Sequence, residues 1–509
     1  MMLSGSINWK IASLCLAAIA ALAAVIASGG PLNPEIAAVA CIGIPVGLVV
    51  ICKYPPLLIA GLLYVGSFKT QAATGFSLTD PTLIITGMLA AAIGLDLLLT
   101  IAGVRDGTIS ERFEGQRLGV GLFLVFLVLF AISYLYSPSP IAGWEKLTRF
   151  AVFETLSFFG PLLLFRFDRD LRMILWATLI VAACLSVRMI AGMAHPTSQE
   201  LLGEADLTRI GEGQTIGTAL LILLFYRFPG AFSRALPLIL APLLAVGLVA
   251  SEARGPAFSL IIVLLLCTTV VRVQAVVPRK TIFAGILLIA VVSVVSLVWL
   301  SRMPGYEVRG LQKKAEIQAM LHGSLAAGGT TALRATYFQS AVHAFMKKPL
   351  QGWGLNGWTM YHFGEDRIYY PHSFILEVAA EQGVPGVTVL VALLVACFAG
   401  LLRAAKTGHR EFILILPILL FTVFYHSATG EIEDRSLFFW LGTALATARL
   451  AMQEQERERA ANVGSRSFAL ETAGSLNSPA NWFLPLGESR ESKAGLIRSG
   501  SDWNVNLDE

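Results

Sequence analysis

Apolar runs long enough to cross a bilayer as helices recur from Ile11 to about Met452, and the charged residues gather in short stretches between them. Hydrocarbon offers the backbone no hydrogen-bond partners, so only helices that satisfy their own amides, or closed barrels, can span it. The period-two alternation of barrel strands is absent. Composition agrees, because 14% of the 509 residues are charged and 55% are hydrophobic, whereas a soluble domain carries roughly a quarter charged residues. The expected fold is an all-α polytopic bundle with about 12–14 transmembrane helices.

The runs fall near 11–28, 34–51, 56–68, 83–101, 118–136, 146–165, 172–194, 214–229, 235–251, 256–271, 281–300, 373–402, 411–429 and 436–452. The first resembles a signal peptide, but a second run begins at Ile36, so it reads as an uncleaved helix. The 56–68 run is short enough to be re-entrant, and 373–402 is long enough to tilt or to begin outside the bilayer. Four regions are expected: a multi-span membrane region over 1–300, an extracytoplasmic loop with amphipathic helices over 301–372, C-terminal membrane helices over 373–452, and a disordered cytoplasmic tail over 453–509. The tail opens with alternating Glu and Arg and becomes rich in Ser, Gly and Asn, a composition that cannot bury a core.

Short basic connections assign the sides. Arg105, Arg112 and Arg117, then Arg166, Arg169 and Arg172, Arg272, Arg279 and Lys280, and Arg403, Lys406 and Arg410 all fall on one face. By the positive-inside rule that face is cytoplasmic. Both termini then lie inside, and 137–145, 195–213, 252–255, 301–372 and 430–435 lie outside.

The six cysteines sit almost entirely within apolar runs and have no metal-ligand or disulfide spacing. No carboxylate pair has convincing metal spacing and no nucleotide-binding glycine pattern occurs, so neither a cofactor nor a nucleic-acid partner is expected.

The long outer loop carries more Lys and Arg than Asp and Glu, against the usual side bias, and an anionic ligand at the outer leaflet would account for it. Within it, 331–348 reads TALRATYFQSAVHAFMKK. Ala335, Phe338, Val342 and Phe345 share a helical face, so an amphipathic helix is expected, lying on the bilayer or covering a cavity. QGWGLNGW follows, in which Gly354 and Asn356 belong to a tight turn whose amides can cradle an anion or a sugar. Next comes PHSFILEVAAEQGVPG, with His372 at the mouth of a long span and Glu377 close enough along it to orient the imidazole. Arg254 begins another span. Arg209 and Gln214 lie at a third mouth, and Arg435 follows Glu431, Glu433 and Asp434 on the last outer turn. Arginine forks suit a pyrophosphate, and a histidine suits removal of a hydroxyl proton near neutral pH.

In this order, Arg254, RATYFQSAVHAFMKKPLQGWGLNGW and PHSFILEVAAEQGVPG resemble the O-antigen ligase/polymerase family over about 250–390. Members usually have Asn after the histidine, where this chain has Ser373. The resemblance implies a metal-independent, inverting glycosyltransferase of GT-C type in the bacterial inner membrane, with its active site on the periplasmic face. The donor would be a glycan on undecaprenyl pyrophosphate, and the acceptor a glycan, lipid A core or a protein, with polysaccharide assembly partners nearby. It implies that Arg254 and Arg334 bind the pyrophosphate and that His372 assists the acceptor hydroxyl. Arg209, Gln214, Gly354, Asn356, Glu377 and Arg435 are the expected substrate contacts. The implied role is polymerisation in exopolysaccharide or O-antigen synthesis, with ligation to lipid A core or protein as the alternative.

Two other classes compete. A transporter predicts ionisable groups near mid-membrane and inverted repeats, while the notable charges here sit at outer helix ends. A scaffold leaves the basic loop unexplained.

Overall fold

The computed structural model describes residues 53–68, 80–104, 108–166, 168–194, 206–226, 235–269, 279–300, 302, 329–407 and 414–476. The expected spans 11–28 and 34–51, and much of the expected outer loop, lie outside the described residues. Those described are almost wholly helical, with no strand among them. Among the described residues, five helices are long and apolar enough to cross a membrane: Pro81–Ile101, Arg117–Leu135, Pro140–Leu164, Arg169–Gly192 and Phe374–Ala404. Shorter apolar helices include Pro55–Ser67, Leu236–Ala250, Arg254–Thr269 and Ile415–Thr429. The chain is an all-α, polytopic membrane protein. Exposed Leu98, Leu118, Leu135, Ile180 and Val395 are what lipid-facing surfaces require.

Helix starts follow local chemistry. Pro55, Pro81 and Pro140 open their helices, where the missing N–H leaves no intrahelical bond unmade. Asp80 caps its helix by accepting from the Thr82 amide at 2.8 Å. A π-turn at Phe150–Glu154 interrupts the Pro140–Leu164 segment and helps to hold an aromatic core. Phe123 stacks on Phe158 with centroids 4.1 Å apart, and Phe130 on Phe150 at the same distance. The Phe374–Ala404 helix packs along Arg117–Leu135, and Arg254–Thr269 packs along Ile415–Thr429.

The connections sort into two groups by contact. At one end Asp96 receives both Arg112 and Arg166. Arg449, almost fully buried, donates to the carbonyls of Arg112 and Leu162 at 2.8 Å and Phe165 at 2.5 Å, satisfying helix-end carbonyls with a cation. At the other end Tyr136 donates to the Gln351 carbonyl and Ser137 to that of Leu355, both at 2.5 Å, while Ser139 donates to Asp366. Connections that charge assigns to one side therefore meet one another. By contact density the chain divides into Met1–Gln453 and Glu454–Glu509. The last helix runs Arg435–Leu476, beyond the 453 boundary read from composition, through a stretch of Ala, Glu and Arg that favours helix.

One local expectation is corrected. The Gly329–Lys347 helix forms, but it buries Tyr337, Ala341 and Ala344, and Ala335 and Val342 are exposed. Small alanines allow its backbone to approach the Phe374–Ala404 helix, and that close approach outweighs the larger apolar area of Phe338 and Phe345. The Phe374–Ala404 helix is not one straight rod, since Gly383 sits at φ 65°, ψ −156° within it.

Candidate functional site

The break at Gly383 explains how EQGVPG and QGWG fit together. Pro385 has no N–H, so the carbonyl of Glu381 loses its usual partner four residues on. That carbonyl accepts from the Gly354 amide instead, and the Ala380 carbonyl accepts from the Trp353 amide, both at 2.9 Å. The Val384 amide turns out to the Pro349 carbonyl at 2.8 Å. A Cβ on Gly383 would lie 2.5 Å from the Pro349 oxygen, and one on Gly354 2.6 Å from Ser137 Cα. The expected amide cradle is therefore corrected: the Trp353, Gly354 and Leu355 amides are all bonded within the protein. Asn356 is fully buried, its Nδ2 donating to Ser139 Oγ at 2.8 Å and the Arg367 carbonyl at 2.9 Å. Gly354 and Asn356 lock the turn that leads to His372.

His372 lies just before the Phe374–Ala404 helix. Its φ of 59° is in the left-handed region, which costs a non-glycine residue about 1–2 kcal/mol, and such strain clusters at functional sites. The side chain is buried, and Nδ1 has no hydrogen-bond partner. Tyr337 lies nearly parallel to the ring at 5.9 Å, and Tyr370 meets it edge-on at 4.7 Å. Burial, followed by the Arg334 cation, pushes the imidazole down to about 4, while the Thr429 backbone pulls the other way. Three chain segments thus act on one ring. A fourth segment meets Thr429: Gly255, next to Arg254, packs so tightly on it that a Cβ there would lie 2.4 Å from its Cγ2. Arg254 is exposed at the first turn of its helix, where a cation opposes the helix dipole. Neither Arg254 nor Arg334 has an ion-pair partner among the described residues, whereas Arg112, Arg166 and Arg188 each have one. Of the two, Arg334 is close enough to act electrostatically on the strained, neutral His372 imidazole.

Glu377 does not orient the imidazole. Its Oε1 accepts from Lys146 Nζ at 2.5 Å and its Oε2 from the Ile432 amide at 2.9 Å. Lys146 also donates to both oxygens of Glu381, at 2.8 and 2.9 Å, and all three side chains are buried. Sequence reasoning passed over Lys146. The signal available was the pair Glu377 and Glu381, four apart on one face of an apolar helix, which calls for a buried cation.

Beyond Thr429 the chain lines a cavity of about 380 Å³, between Gly66–Ser67, the start of the Asp206–Phe225 helix and the 431–436 turn. Gln214 and Arg435, both anticipated, line it. Arg435 Nη1 donates to the Leu62 carbonyl at 2.9 Å, and its guanidinium lies over the Phe153 ring. Arg209 is buried within the protein's own interactions and is not in the wall. Asp434 is held by His426 at 3.2 Å and by Ser436, to which Gln214 donates at 2.7 Å. Among the described residues no group of three or more His, Cys, Asp or Glu is placed to hold a metal ion.

No curated protein matches the chain. The O-antigen ligase family matches residues 239–391, a stretch that contains Arg254, Arg334, the glycine turn and His372. Through that part of its length, the chain is similar to the O-antigen ligase family.

Proposed function

We propose that the protein is an inverting glycosyltransferase that transfers or polymerises a glycan from undecaprenyl pyrophosphate on the periplasmic face of the inner membrane, with both termini in the cytoplasm. The observation that carries this reading is the convergence on His372: a buried, strained imidazole with a free Nδ1, next to Arg334 and behind the helix end that presents Arg254. The family match over 239–391 supports the donor class.

In this mechanism the acceptor hydroxyl oxygen attacks the anomeric carbon as the bond from that carbon to the pyrophosphate oxygen breaks. The hydroxyl proton passes to His372 Nδ1, which is neutral at pH 7 because of burial and Arg334. Undecaprenyl pyrophosphate leaves with its electron pair, and Arg254 and Arg334 stabilise the charge that develops on it. Pyrophosphate bound at Arg334 also offsets the cation that depresses the imidazole, so donor binding makes the base stronger.

Polymerisation is the favoured outcome and ligation the alternative. Purified protein in lipid, given a lipid-linked repeat unit as sole substrate, is expected to make a ladder of longer lipid-linked glycans, lost in His372→Ala. Transfer only after lipid A core or a protein is supplied would establish ligation. No transfer to any acceptor would overturn the reading in favour of transport.

A further inference from the structure

Two helices of unequal length fix where the bilayer begins. Phe374–Ala404 has 31 residues and is about 46 Å long, against a hydrocarbon core of about 30 Å. Its neighbour Arg117–Leu135 has 19 residues and a length of about 28 Å, which matches that core. The two are in register at both ends. A Cβ on Gly400 would lie 3.9 Å from Gln116 Oε1. At the other end the 353–355 turn bridges them, the Gly354 amide donating to the Glu381 carbonyl at 2.9 Å and the Leu355 amide to the Ser133 carbonyl at 3.2 Å. The boundary therefore passes Leu135 and Glu381, and the first two turns of the longer helix stand beyond it. Tyr136 and Trp144, both exposed, mark the same level with the aromatic rings that favour a membrane interface.

The Gly329–Lys347 helix descends along those two turns to this boundary. Tyr337 lies beside His372, and Trp353 ties Ala344 to Ala380, its Nε1 donating to one carbonyl and its amide to the other. Past Lys347 the chain reaches the helix break, where a Cβ on Gly383 would lie 2.8 Å from the Leu350 carbonyl carbon. Tyr136 donates to the carbonyl of the next residue, Gln351. Here Met346 is 69% exposed and Leu350 77%, at the level of exposed Leu135 and Ile141. Between them lie Lys347 and Lys348, both exposed, with their ammonium groups 4.9 and 4.1 Å from the Tyr361 and Trp353 ring centroids. Apolar tips beside long-stemmed cations are what a bilayer interface takes, with tails covering the first and phosphates meeting the second. We propose that residues 346–350 form a phospholipid-docking tip, in which Met346 and Leu350 enter the leaflet at this end of the bundle and Lys347 and Lys348 hold its headgroup phosphates. Such docking goes beyond the transfer reading and does not depend on it. The lipid then braces the turn that locks the break at Gly383.

The test uses the unaltered full-length protein in nanodiscs of phosphatidylethanolamine and phosphatidylglycerol. Hydroxyl radicals generated in the water should oxidise Met346 at least ~10-fold more slowly than the same residue in a free peptide of residues 340–351, because an interfacial segment sits about 5–10 Å into the headgroup and acyl boundary. Phosphatidylglycerol with a diazirine near the glycerol end of one acyl chain should label residues 346–350, read by mass spectrometry. Paired Lys347→Glu and Lys348→Glu set like charges against the phosphates and should raise the Met346 oxidation rate at least ~3-fold. Oxidation of the parent at the peptide rate would overturn the proposal. So would protection without lipid labelling, which would mean that protein covers the tip, and so would protection that the glutamate pair leaves unchanged. Chain extension decides the transfer reading separately, and none of these outcomes alters it.

Discussion

Glu377 Oε2 accepts the Ile432 amide at 2.9 Å, so a carboxylate in the first turn of the Phe374–Ala404 helix pins the turn that walls the cavity. Its other oxygen is tied to Lys146, and through Lys146 to Glu381. One buried cation thus holds two helices and a loop in register around the candidate site.

Lys146→Met leaves two carboxylates facing each other in a dry environment. Breaking a buried pair in this way costs about 3–5 kcal/mol, and thermal unfolding in detergent should show a large drop in midpoint. Adding Glu377→Gln and Glu381→Gln removes the stranded charges and should recover much of the loss. A melt unchanged by Lys146→Met would mean that the network contributes nothing.

His372→Ala is expected to lower kcat by about 100-fold or more, the usual range for a general base, with donor affinity little changed. Steady-state rates alongside direct donor binding separate the two. Equal turnover for parent and variant would remove the residue from the chemistry.

Arg254→Lys keeps the charge and loses the fork. A lysine cannot make paired hydrogen bonds to a phosphate, so kcat/KM should fall by roughly 10-fold or more, a loss of about 1.4 kcal/mol. Unchanged kinetics would place Arg254 outside the site.

The pH dependence follows from the depressed imidazole. His372 is held down to about 4 by burial and then by Arg334, and its neutral form is the base. In the free enzyme the acid limb of kcat/KM should therefore fall near pH 4, well below the ordinary value of about 6.5. The sign for stability is the same: the unfolded chain takes up this proton first, so the contribution is complete above about 6.5 and is lost as pH falls toward 4. Arg334→Gln should move the acid limb upward in the residual activity. A parent limb at about 6.5 would contradict the assignment.

Much of the fold is legible because the constraint is crude: lipid demands apolar length, and hydropathy reports length. The positions of Gln214 and Arg435 in one cavity wall, and of His372 next to Arg334, follow from their shared places at outer helix mouths. What stays hidden depends on pairing across the chain. The glycine turn reads as a ligand cradle until Pro385 frees the Glu381 carbonyl that one of its amides fills. The buried face of Gly329–Lys347 is set by how near Ala341 and Ala344 let a neighbour come, which hydrophobicity alone ranks below the phenylalanines. Lys146 looks like an ordinary interfacial cation, and only the fold shows that both its carboxylates lie more than two hundred residues away.

The break at Gly383 also sets how this region opens. Because the Ala380 and Glu381 carbonyls bond to a turn some thirty residues earlier, the helix cannot straighten there without releasing the turn, nor the turn lift without stranding helix carbonyls. The two segments form one cooperative opening unit. The amides of Trp353, Gly354 and Val384 should exchange with solvent at a common free energy of opening, distinct from that of the surrounding loop, and Gly383→Ala should lower all three together.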